Sequence, residues 1–259
     1  MTARFAGRRA LVTGASRGIG AATAVRLAAE GASVAIVART RARHERLPGS
    51  LDETASRIEA LGARAAVVVA DLADARDRGR IVPEAVEGLG GPVDVLVNNA
   101  AAAMYGPVSS MPLKRRRVLL EVNALAPLDL MQAVVPAMVE RGEGWILNLS
   151  SGSARSRPGP PFEANAMGST LGIYGASKAA LNRLTNALAE EVRGTGVRIN
   201  TVEPRAAVHS EGADAHLGGV LDDDQFESMA DMVAGALILC DCAPEVTGGT
   251  FVSLDLLGR

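Results

Sequence analysis

RRALVTGASRGIGAATAVRLAAEG, residues 8–31, is the stretch that decides the fold of this chain. It begins as an apolar, strand-like run that ends at Thr13. From Ile19 onward, apolar residues recur at the spacing of an amphipathic helix. Between these two parts lies a tight turn with three glycines, Gly14, Gly18 and Gly20. The stretch therefore predicts a strand, a glycine-rich turn and a helix in direct succession.

A glycine turn between a strand and a helix favours nucleotide binding. A Cβ in the turn would block both the tight backbone path and the approach of a pyrophosphate. The N-terminus of the helix offers N–H groups and the positive end of its dipole to that pyrophosphate. The spacing here is Gly-x3-Gly-x-Gly rather than the commoner Gly-x-Gly-x2-Gly. We therefore predict a dinucleotide-binding site at this turn.

Length and composition predict a domain with an aliphatic core. A chain of 259 residues is large enough for a full core, and 48% of its residues are hydrophobic while only 3% are aromatic. The net charge of −2 gives no electrostatic reason to expect nucleic acid or a membrane surface as a partner. The basic run at residues 114–117 is expected to be a solvated helix face.

The cysteines and the N-terminus indicate the cellular compartment in which we expect the protein. Cys240 and Cys242 are too few for a disulfide framework and fit a reducing compartment, and no further ligands accompany them to suggest a metal. The N-terminus lacks the apolar stretch of a signal peptide, and no run reaches the about 18 apolar residues of a membrane span. We therefore expect a soluble, cytoplasmic protein without a metal site.

Strand-like and helix-like segments alternate along the whole chain. The predicted strands lie at residues 8–13, 33–37, 64–70, 93–97, 144–149, 198–202 and 250–254. Such alternation is typical of a parallel sheet with helices on both faces. We predict a single, doubly wound Rossmann-type α/β domain over residues 1–259, with a seven-stranded parallel sheet. Segments 152–172 and 205–224 are expected to lie on the substrate side.

The end of the second predicted strand bears on the choice between NAD and NADP. An acidic side chain there holds the ribose 2′-hydroxyl of NAD, whereas an arginine can pair with the 2′-phosphate of NADP. Arg39 and Thr40 follow this strand, and no acidic residue occurs before Glu45. Arg17, in the glycine turn, is a candidate second cation for the same phosphate. The sequence therefore predicts NADP, with NAD as the alternative cofactor and a solvated basic loop as the structural alternative.

Two sets of polar residues, a tyrosine with a lysine and two consecutive serines, predict the chemistry of the site. Tyr174 and Lys178 are four residues apart, so they project from one face of a helix. A tyrosine can protonate the alkoxide left by hydride transfer to a ketone, and a lysine cation lowers its pKa from about 10. We therefore expect Lys178 to lower the pKa of Tyr174. Ser150 and Ser151 lie at the carboxyl end of the strand at 144–149, where ligands bind open parallel sheets.

These motifs, in this order, resemble the short-chain dehydrogenase/reductase family from about Gly7 to Asp255. The motifs that carry the resemblance are Thr13-Gly14-Ala15-Ser16-Arg17-Gly18-Ile19-Gly20, Asn98-Asn99-Ala100, Asn123, Ser150-Ser151 and Tyr174-x3-Lys178. The resemblance implies an NAD(P)-dependent enzyme that interconverts a secondary alcohol and a carbonyl compound, and a homo-oligomer, either tetramer or dimer. It implies that Ser151 donates to the carbonyl oxygen, and that a water held by Asn123 returns the proton through Lys178.

The resemblance also implies which residues bind the cofactor. They are Gly14, Ser16, Arg17, Gly18, Ile19, Gly20, Arg39, Thr40, Asp71, Leu72, Asn99, Ala100, Tyr174, Lys178, Pro204 and Ala207. For Asp71, the alternative to a hydrogen bond from the adenine amino group is a cap on the helix that follows. Asn98 is expected to tie neighbouring strands together.

Three departures from the family pattern stand out. Ala101 replaces the usual glycine after Asn-Asn-Ala. As many as 22 residues separate Ser151 from Tyr174, so Ser150 and Ser153 are alternative candidates for the working serine. We expect this long segment to cover the substrate, with Phe162 and Met167 as apolar contacts.

The third departure follows the sixth strand. Pro204-Arg205 stands where the family has Pro-Gly, and Arg205 is expected to face solvent. This pair and the insertion Leu-Pro-Gly-Ser at 47–50 look like a subgroup of the family, the hydroxysteroid-dehydrogenase-like protein 2 group. Two other functions stay open on the same fold: a cofactor-independent lyase or dehalogenase, and a catalytically silent nucleotide-sensing scaffold. The glycine loop and Lys178 argue against the first, and the complete set of polar residues argues against the second.

Overall fold

A computed structural model describes residues 3–42, 48–162, 168–205, 207–209 and 226–259 of the chain. Its strands are β1 (Arg9–Thr13), β2 (Ser33–Ala38), β3 (Ala65–Val69), β4 (Val95–Asn98), β5 (Gly144–Leu149), β6 (Val197–Glu203), β7 (Ala207–Val208), β8 (Phe226–Glu227) and β9 (Thr250–Val252). Its α-helices are α1 (Gly18–Ala29), α2 (Leu51–Glu59), α3 (Ala75–Leu89), α4 (Leu113–Leu120), α5 (Ala126–Arg141), α6 (Gly172–Glu191), α7 (Met229–Leu239) and α8 (Ser253–Leu256).

Seven of these strands form one parallel sheet in the order β3-β2-β1-β4-β5-β6-β9. The chain starts at β1, moves outward to β3 and then returns to β4 on the other side of β1. The order therefore reverses between β1 and β4, and such a reversal opens a ligand crevice at the carboxyl ends of the two strands. The predicted fold class is confirmed. The two-residue strands β7 and β8 pair with each other, apart from this sheet.

The strands bury both faces of the sheet, as expected when helices cover both sides. On one face, Val12 and Ile36 pack in a core that includes α1, α2 and α7. On the other face, Leu11 and Val37 pack in a core that includes α3, α5 and α6. The largest fully buried side chains are Leu, Ile and Met apart from Phe5, so the core is aliphatic as the composition predicts.

Local signals explain where several helices begin. Ser50 accepts a hydrogen bond from the Glu53 N–H at 3.0 Å and so caps the start of α2. Asp74 caps α3 in the same way, through the Arg76 N–H at 2.8 Å. Each cap satisfies a backbone donor that the first helical turn leaves without a partner.

A π-helical turn, Glu121–Leu125, joins α4 to α5. The continuous run Leu113–Arg141 is long and apolar enough for a membrane span by length and composition, with a mean hydropathy of 1.5. However, 44% of that window is buried inside the protein, where Leu130 and Met131 pack against the sheet. A buried core helix passes the same test, so the run is weak evidence for a membrane. The basic residues 114–117 are exposed, as expected.

Candidate active site

The glycine turn leads from β1 to α1 and is shaped by the protein's own atoms. Gly14 and Gly18 have φ values of +67° and +55°, which glycine adopts readily. A Cβ on Gly20 would lie 2.3 Å from Asn99 Nδ2 and 2.4 Å from the Gly14 carbonyl oxygen. We call Gly14, Gly18, Gly20 and Asn99 the glycine cradle. Glycine is required at position 20 because the Asn99 carboxamide fills the space beside it.

The cradle is tied to β4 across the reversal of strand order. Asn99 Nδ2 donates to the Thr13 carbonyl oxygen at 2.8 Å. The Thr13 hydroxyl accepts from the backbone N–H groups of Asn99 and Ala100, both at 3.1 Å. Ala101 departs from the family glycine without strain, because no described residue other than glycine has a positive φ.

These residues fit the pyrophosphate of a nicotinamide dinucleotide. The helix α1 starts at Gly18 without a side-chain cap from Arg17, and its first turn contains no acidic residue. Ser16 precedes this start, and Ile19 lies in the first turn, packed against the core. The positive end of the helix dipole therefore faces the crevice without a carboxylate to oppose an anion.

The basic residues predicted to bind a 2′-phosphate lie in different settings. Arg17 donates to the carbonyl oxygens of Pro48 and Gly49, at 2.9 and 3.2 Å, so its guanidinium holds the loop before α2. Arg39 and Thr40 are exposed directly after β2. A cavity of about 590 Å³ beside the turn is lined in part by Ser16, Arg17 and Arg57. The sequence analysis missed Arg57, because nothing in its helix marks it as a site residue.

Asp71 and Leu72 follow β3 at the same edge of the sheet. Asp71 Oδ1 accepts from the Ala73 N–H at 3.0 Å, so the carboxylate stabilises the turn before α3. The Leu72 carbonyl oxygen accepts from Arg78 at 2.9 Å. The alternative role of Asp71 as a helix cap is wrong, because Asp74 caps α3. The role of Asp71 toward adenine stays a prediction. Asn98 donates to Asn148 Oδ1 at 2.8 Å, which confirms that it ties β4 to β5.

Ser151 and Tyr174 meet at the carboxyl edge of β5. The Ser151 side chain lies close enough to the Tyr174 hydroxyl on α6 to lower the pKa of that phenol, against the effect of burial. It also accepts from Ser153, through the backbone N–H at 3.3 Å and the hydroxyl at 3.0 Å. The Ser150 hydroxyl is buried and has no hydrogen-bond partner among the described residues. The structure thus brings Ser151 to the tyrosine, as the motif position predicts.

The expected effect of Lys178 on Tyr174 is wrong for this structure. Burial raises the pKa of Tyr174 to about 12, the charge of Tyr105 adds to the rise, and the hydrogen bond with Ser151 opposes it. Burial also lowers the pKa of Lys178 to about 8. The Lys178 ammonium donates to the Leu149 carbonyl oxygen at 2.7 Å. Desolvation, and not the charge of Lys178, sets the direction in which the pKa of Tyr174 shifts.

Asn123 lies in the π-helical turn and is fully buried. Its carboxamide accepts from the Ala102 N–H at 2.8 Å and donates to the Ala102 carbonyl oxygen at 2.9 Å. It also donates to the Ser177 hydroxyl at 3.0 Å, which in turn donates to the Tyr174 carbonyl oxygen at 2.6 Å. Asn123 therefore links the loop after β4 to the helix of Tyr174, and its role with a water stays a prediction.

Tyr105 was missed by the sequence analysis, although it packs against Tyr174. The two ring centroids are 5.8 Å apart, with an interplanar angle of 86°. No motif marks Tyr105. The only signal in the sequence is that the chain contains two tyrosines in all.

The end of β6 differs most from expectation. Glu203 is 1% exposed and forms an ion pair with Arg155 from the segment after Ser151. Pro204 follows β6 directly, and Ala207 begins β7. Arg205 is exposed, as expected, and its guanidinium also contacts the Asp255 carboxylate and donates to the Arg259 carbonyl oxygen at 2.8 Å. These partners are distant in sequence, so no local pattern predicts them.

Some predictions lie outside the described residues. They concern Glu45, Met167 and most of the segment 205–224. Phe162 is described and is 67% exposed, so its contact with a substrate stays a prediction. Among the residues described, no group of three or more His, Cys, Asp or Glu side chains could hold a metal ion.

Comparison with known proteins identifies the family. Residues 8–211 match the family described as short chain dehydrogenase. This chain belongs to the short-chain dehydrogenase/reductase family. Rat hydroxysteroid dehydrogenase-like protein 2 is 34% identical over an alignment of 257 positions that covers 97% of this chain and 46% of the rat protein. The chain spans about half the length of such curated relatives, and the predicted likeness to this subgroup is confirmed.

Solved structures of short-chain dehydrogenase/reductase proteins share the fold. A blue fluorescent protein from a metagenomic library, in complex with NADPH, is 32% identical with a TM-score of 0.81, covering 96% of this chain and 97% of that chain. The 3-oxoacyl (acyl-carrier-protein) reductase of Agrobacterium tumefaciens C58, with NADP bound, is 29% identical with a TM-score of 0.80. The match covers 96% of this chain and 93% of the reductase chain. Both of these neighbours were solved with a nicotinamide cofactor bound.

Proposed function

We propose that this chain is an oxidoreductase that interconverts a secondary alcohol and a carbonyl compound, with NADP as its cofactor. The observation that carries the proposal is the placement of Ser151, directly after β5, beside Tyr174 in the first turn of α6. The pair lies at the carboxyl edge of the sheet, the edge that also carries the glycine cradle. One edge thus combines a proton donor with a dinucleotide site, and an alcohol–carbonyl exchange needs both.

Tyr174, Ser151 and Lys178 have different roles in the proposed proton transfer. The bound nicotinamide would supply or accept the hydride. Tyr174 is neutral at physiological pH, because its pKa is raised to about 12, so it can donate a proton to the substrate oxygen. Ser151 stabilises that oxygen by a hydrogen bond. Lys178 has its pKa lowered to about 8 and therefore exchanges protons near neutral pH.

Arg39 supports NADP over NAD. Its exposed side chain follows β2, where a carboxylate would favour NAD. Among the described residues, no ion pair involves Arg39, so its charge is available to a phosphate. Arg17 gives less support than the sequence suggests, because it holds the loop at Pro48 and Gly49. The two neighbours named above were solved with NADPH and NADP, which also supports the proposal.

A homo-oligomer is part of the proposal. Leu113, Leu120 and Leu125 are 52%, 43% and 42% exposed along the run from α4 to α5. Apolar side chains exposed in this way lose contact with water when a second copy covers them. Sedimentation velocity tests this: a species with the mass of one chain at micromolar concentration would contradict it.

Substitution of Tyr174 tests the function. Tyr174→Phe keeps the ring and removes the acid, so we expect it to abolish nearly all turnover of the best carbonyl substrate. The cofactor dissociation constant should stay within a few-fold, because the glycine cradle is untouched. Turnover and NADPH fluorescence titration are measured on both proteins. Residual activity above about a tenth of wild type would assign the proton to another group, since one lost order is only about 1.4 kcal/mol.

The same measurements separate the two other functions that the sequence leaves open. A nucleotide-sensing scaffold binds NADPH without turning over any carbonyl compound in a broad screen. A lyase or dehalogenase converts its substrate without added cofactor. Turnover that requires NADPH and Tyr174 together excludes both.

A further inference from the structure

The two tyrosines of the chain lie together, although they belong to distant segments. Tyr105 follows β4, and Tyr174 is in the first turn of α6. Their ring centroids are 5.8 Å apart, and their planes are nearly perpendicular at 86°. This edge-to-face arrangement places the positive rim of one ring against the negative face of the other. It is a directional contact, so it favours one ring plane for each partner.

The loop that carries Tyr105 is anchored on both sides of it. Before Tyr105, the backbone of Ala102 makes two hydrogen bonds with the buried Asn123 side chain, at 2.8 and 2.9 Å. After Tyr105, the Gly106 N–H donates to the Thr170 carbonyl oxygen at 2.9 Å. These bonds hold the loop against the π-helical turn on one side and against the segment leading into α6 on the other.

A third anchor fits the loop to the start of α6. Gly172, the first residue of α6, faces Val108, and a Cβ on Gly172 would lie 2.3 Å from Val108 Cγ2. The helix can approach the loop this closely only because residue 172 has no side chain. Val108 therefore packs against α6 two positions before Tyr174, which adds a contact between the loop and the helix at the site.

We propose that Tyr105 is a positioning residue for the proposed reaction, because its ring holds the phenol plane of Tyr174. Rotation of a phenol about its χ2 bond is only weakly restricted by its own side chain. Ser151 lies at the oxygen end of Tyr174, and Tyr105 packs against its ring in the edge-to-face geometry. Together they direct the Tyr174 O–H toward one place in the crevice. The inference rests on the proposed function, since it assigns Tyr174 as the proton donor.

Two substitutions distinguish the contribution of the Tyr105 ring from that of its hydroxyl. Tyr105→Phe keeps the edge-to-face contact, and Tyr105→Leu removes it at similar bulk. We expect Tyr105→Phe to keep kcat within about twofold and Tyr105→Leu to lower kcat about 10- to 100-fold, the range for a misplaced reacting group. The NADPH dissociation constant should be unchanged in both, because Tyr105 is not part of the glycine cradle. Val139→Ala, which truncates an exposed side chain on α5, is the control.

A spectroscopic measurement completes the test. In either variant Tyr174 is the only tyrosine, so the tyrosine band of the near-ultraviolet circular dichroism reports how firmly its ring is held. We expect the band to persist in Tyr105→Phe and to weaken in Tyr105→Leu. If Tyr105→Leu does not fold, Tyr105→Met repeats the comparison without a ring.

Three results would overturn the inference. The first is a wild-type kcat in Tyr105→Leu or Tyr105→Met, which lack the ring. The second is a kcat as low in Tyr105→Phe as in Tyr105→Leu. The third is a loss of NADPH affinity that parallels the loss of kcat. The second would assign the role to the hydroxyl, and the third would indicate general damage to the site. A wild-type protein without NADPH-dependent turnover would instead contradict the proposed function itself.

Discussion

Lys178 is fully buried, and its enclosure has a consequence for stability. Burial lowers the pKa of its ammonium group to about 8 from an ordinary value of 10.5. The unfolded chain therefore holds this proton up to a higher pH than the folded chain. Folding is penalised in full below pH 8, and the penalty disappears as the pH rises through 10.5. A lysine needed for proton exchange thus opposes folding at neutral pH.

We predict that Lys178→Met stabilises the protein at neutral pH. The gain in the free energy of unfolding is up to about 3 kcal/mol at ~1.4 kcal/mol per pKa unit, less the contribution of the lost bond to the Leu149 carbonyl oxygen. The gain should shrink toward zero above pH 10.5, where lysine is neutral in both states. Urea unfolding of both proteins below pH 8 and above pH 10.5 measures the difference. An equal gain at both pH values would contradict the explanation.

Ser153 controls where the hydrogen of Ser151 points. A hydroxyl has one hydrogen and two acceptor lone pairs, and Ser153 donates to Ser151 Oγ twice, at 3.3 and 3.0 Å. The Ser151 hydrogen is then directed at Tyr174 or at a substrate oxygen. We predict that Ser153→Ala lowers kcat/KM about three- to tenfold, since a hydrogen bond contributes about 1 kcal/mol. Ser150→Ala is the control, and equal effects of the two substitutions would refute the role of Ser153.

The start of the segment between Ser151 and α6 is attached to β6 by one ion pair. Arg155 directly follows the short 3-10 turn Gly152–Ala154, which Ser151 caps. Its guanidinium pairs with Glu203, whose carboxylate is 1% exposed, whereas Arg155 itself is 64% exposed. A buried carboxylate without a partner is strongly unfavourable, so Glu203 holds Arg155 and with it the turn.

We predict that Arg155→Ala destabilises the fold by about 1–3 kcal/mol, because it leaves the Glu203 carboxylate buried without its cation. Arg26→Ala removes an exposed pair with Glu30 on α1 and should change stability by no more than about 0.5 kcal/mol. Urea unfolding at neutral pH compares the two. Adding Glu203→Gln to Arg155→Ala should recover part of the loss, because the amide carries no charge. Similar losses in the two single variants would show that burial of Glu203 is not the cause.

Elements with regular periodicity could be predicted from the sequence almost to the residue. The strand at Gly144–Leu149 has the predicted bounds. The last strand is shorter than predicted, because the chain enters α8 at Ser253. The π-helical turn at Glu121–Leu125 could not be predicted, since it shifts the helical period by only one residue.

The motif residues of the site could be predicted from the sequence, but the residues that contact and support them could not. Ser151 and Tyr174 meet as their motifs predict. Tyr105 and the pair of Arg155 with Glu203 depend on segments that only the folded chain brings together. The direction of the pKa shift of Tyr174 is opposite to the predicted one, because spacing reveals a nearby charge while desolvation depends on how the folded chain surrounds the phenol.

At the scale of the whole molecule, cofactor preference should be visible as stability. A ligand that binds only the folded state stabilises it by about 2.7 kcal/mol at a concentration of 100 Kd. We predict that NADP raises the melting temperature more than an equal concentration of NAD, and that Arg39→Asp reverses the order. The reversal follows because a carboxylate repels the 2′-phosphate and accepts a hydrogen bond from the 2′-hydroxyl.

Kinetics with both cofactors provide the second measurement. One charge-assisted contact contributes about 1.5–3 kcal/mol, so kcat/KM should favour NADP by about tenfold or more. Arg26→Ala, which removes a surface arginine away from the crevice, should leave both the kinetic and the thermal preference unchanged. Equal kcat/KM values for the two cofactors in the wild-type protein would refute the assignment of Arg39.

The close fit of Gly20 against Asn99 has a consequence for how this lineage can change. The glycine that marks a nucleotide site is needed to close the seam between β1 and β4 even when no nucleotide is bound. A descendant that stopped binding dinucleotides would still be selected to keep it. Its sequence would begin to drift at Arg39, whose exposed side chain forms no ion pair within the described residues. In such descendants the glycines would be retained even without cofactor binding, whereas retention of Arg39 would indicate that the site still binds a cofactor.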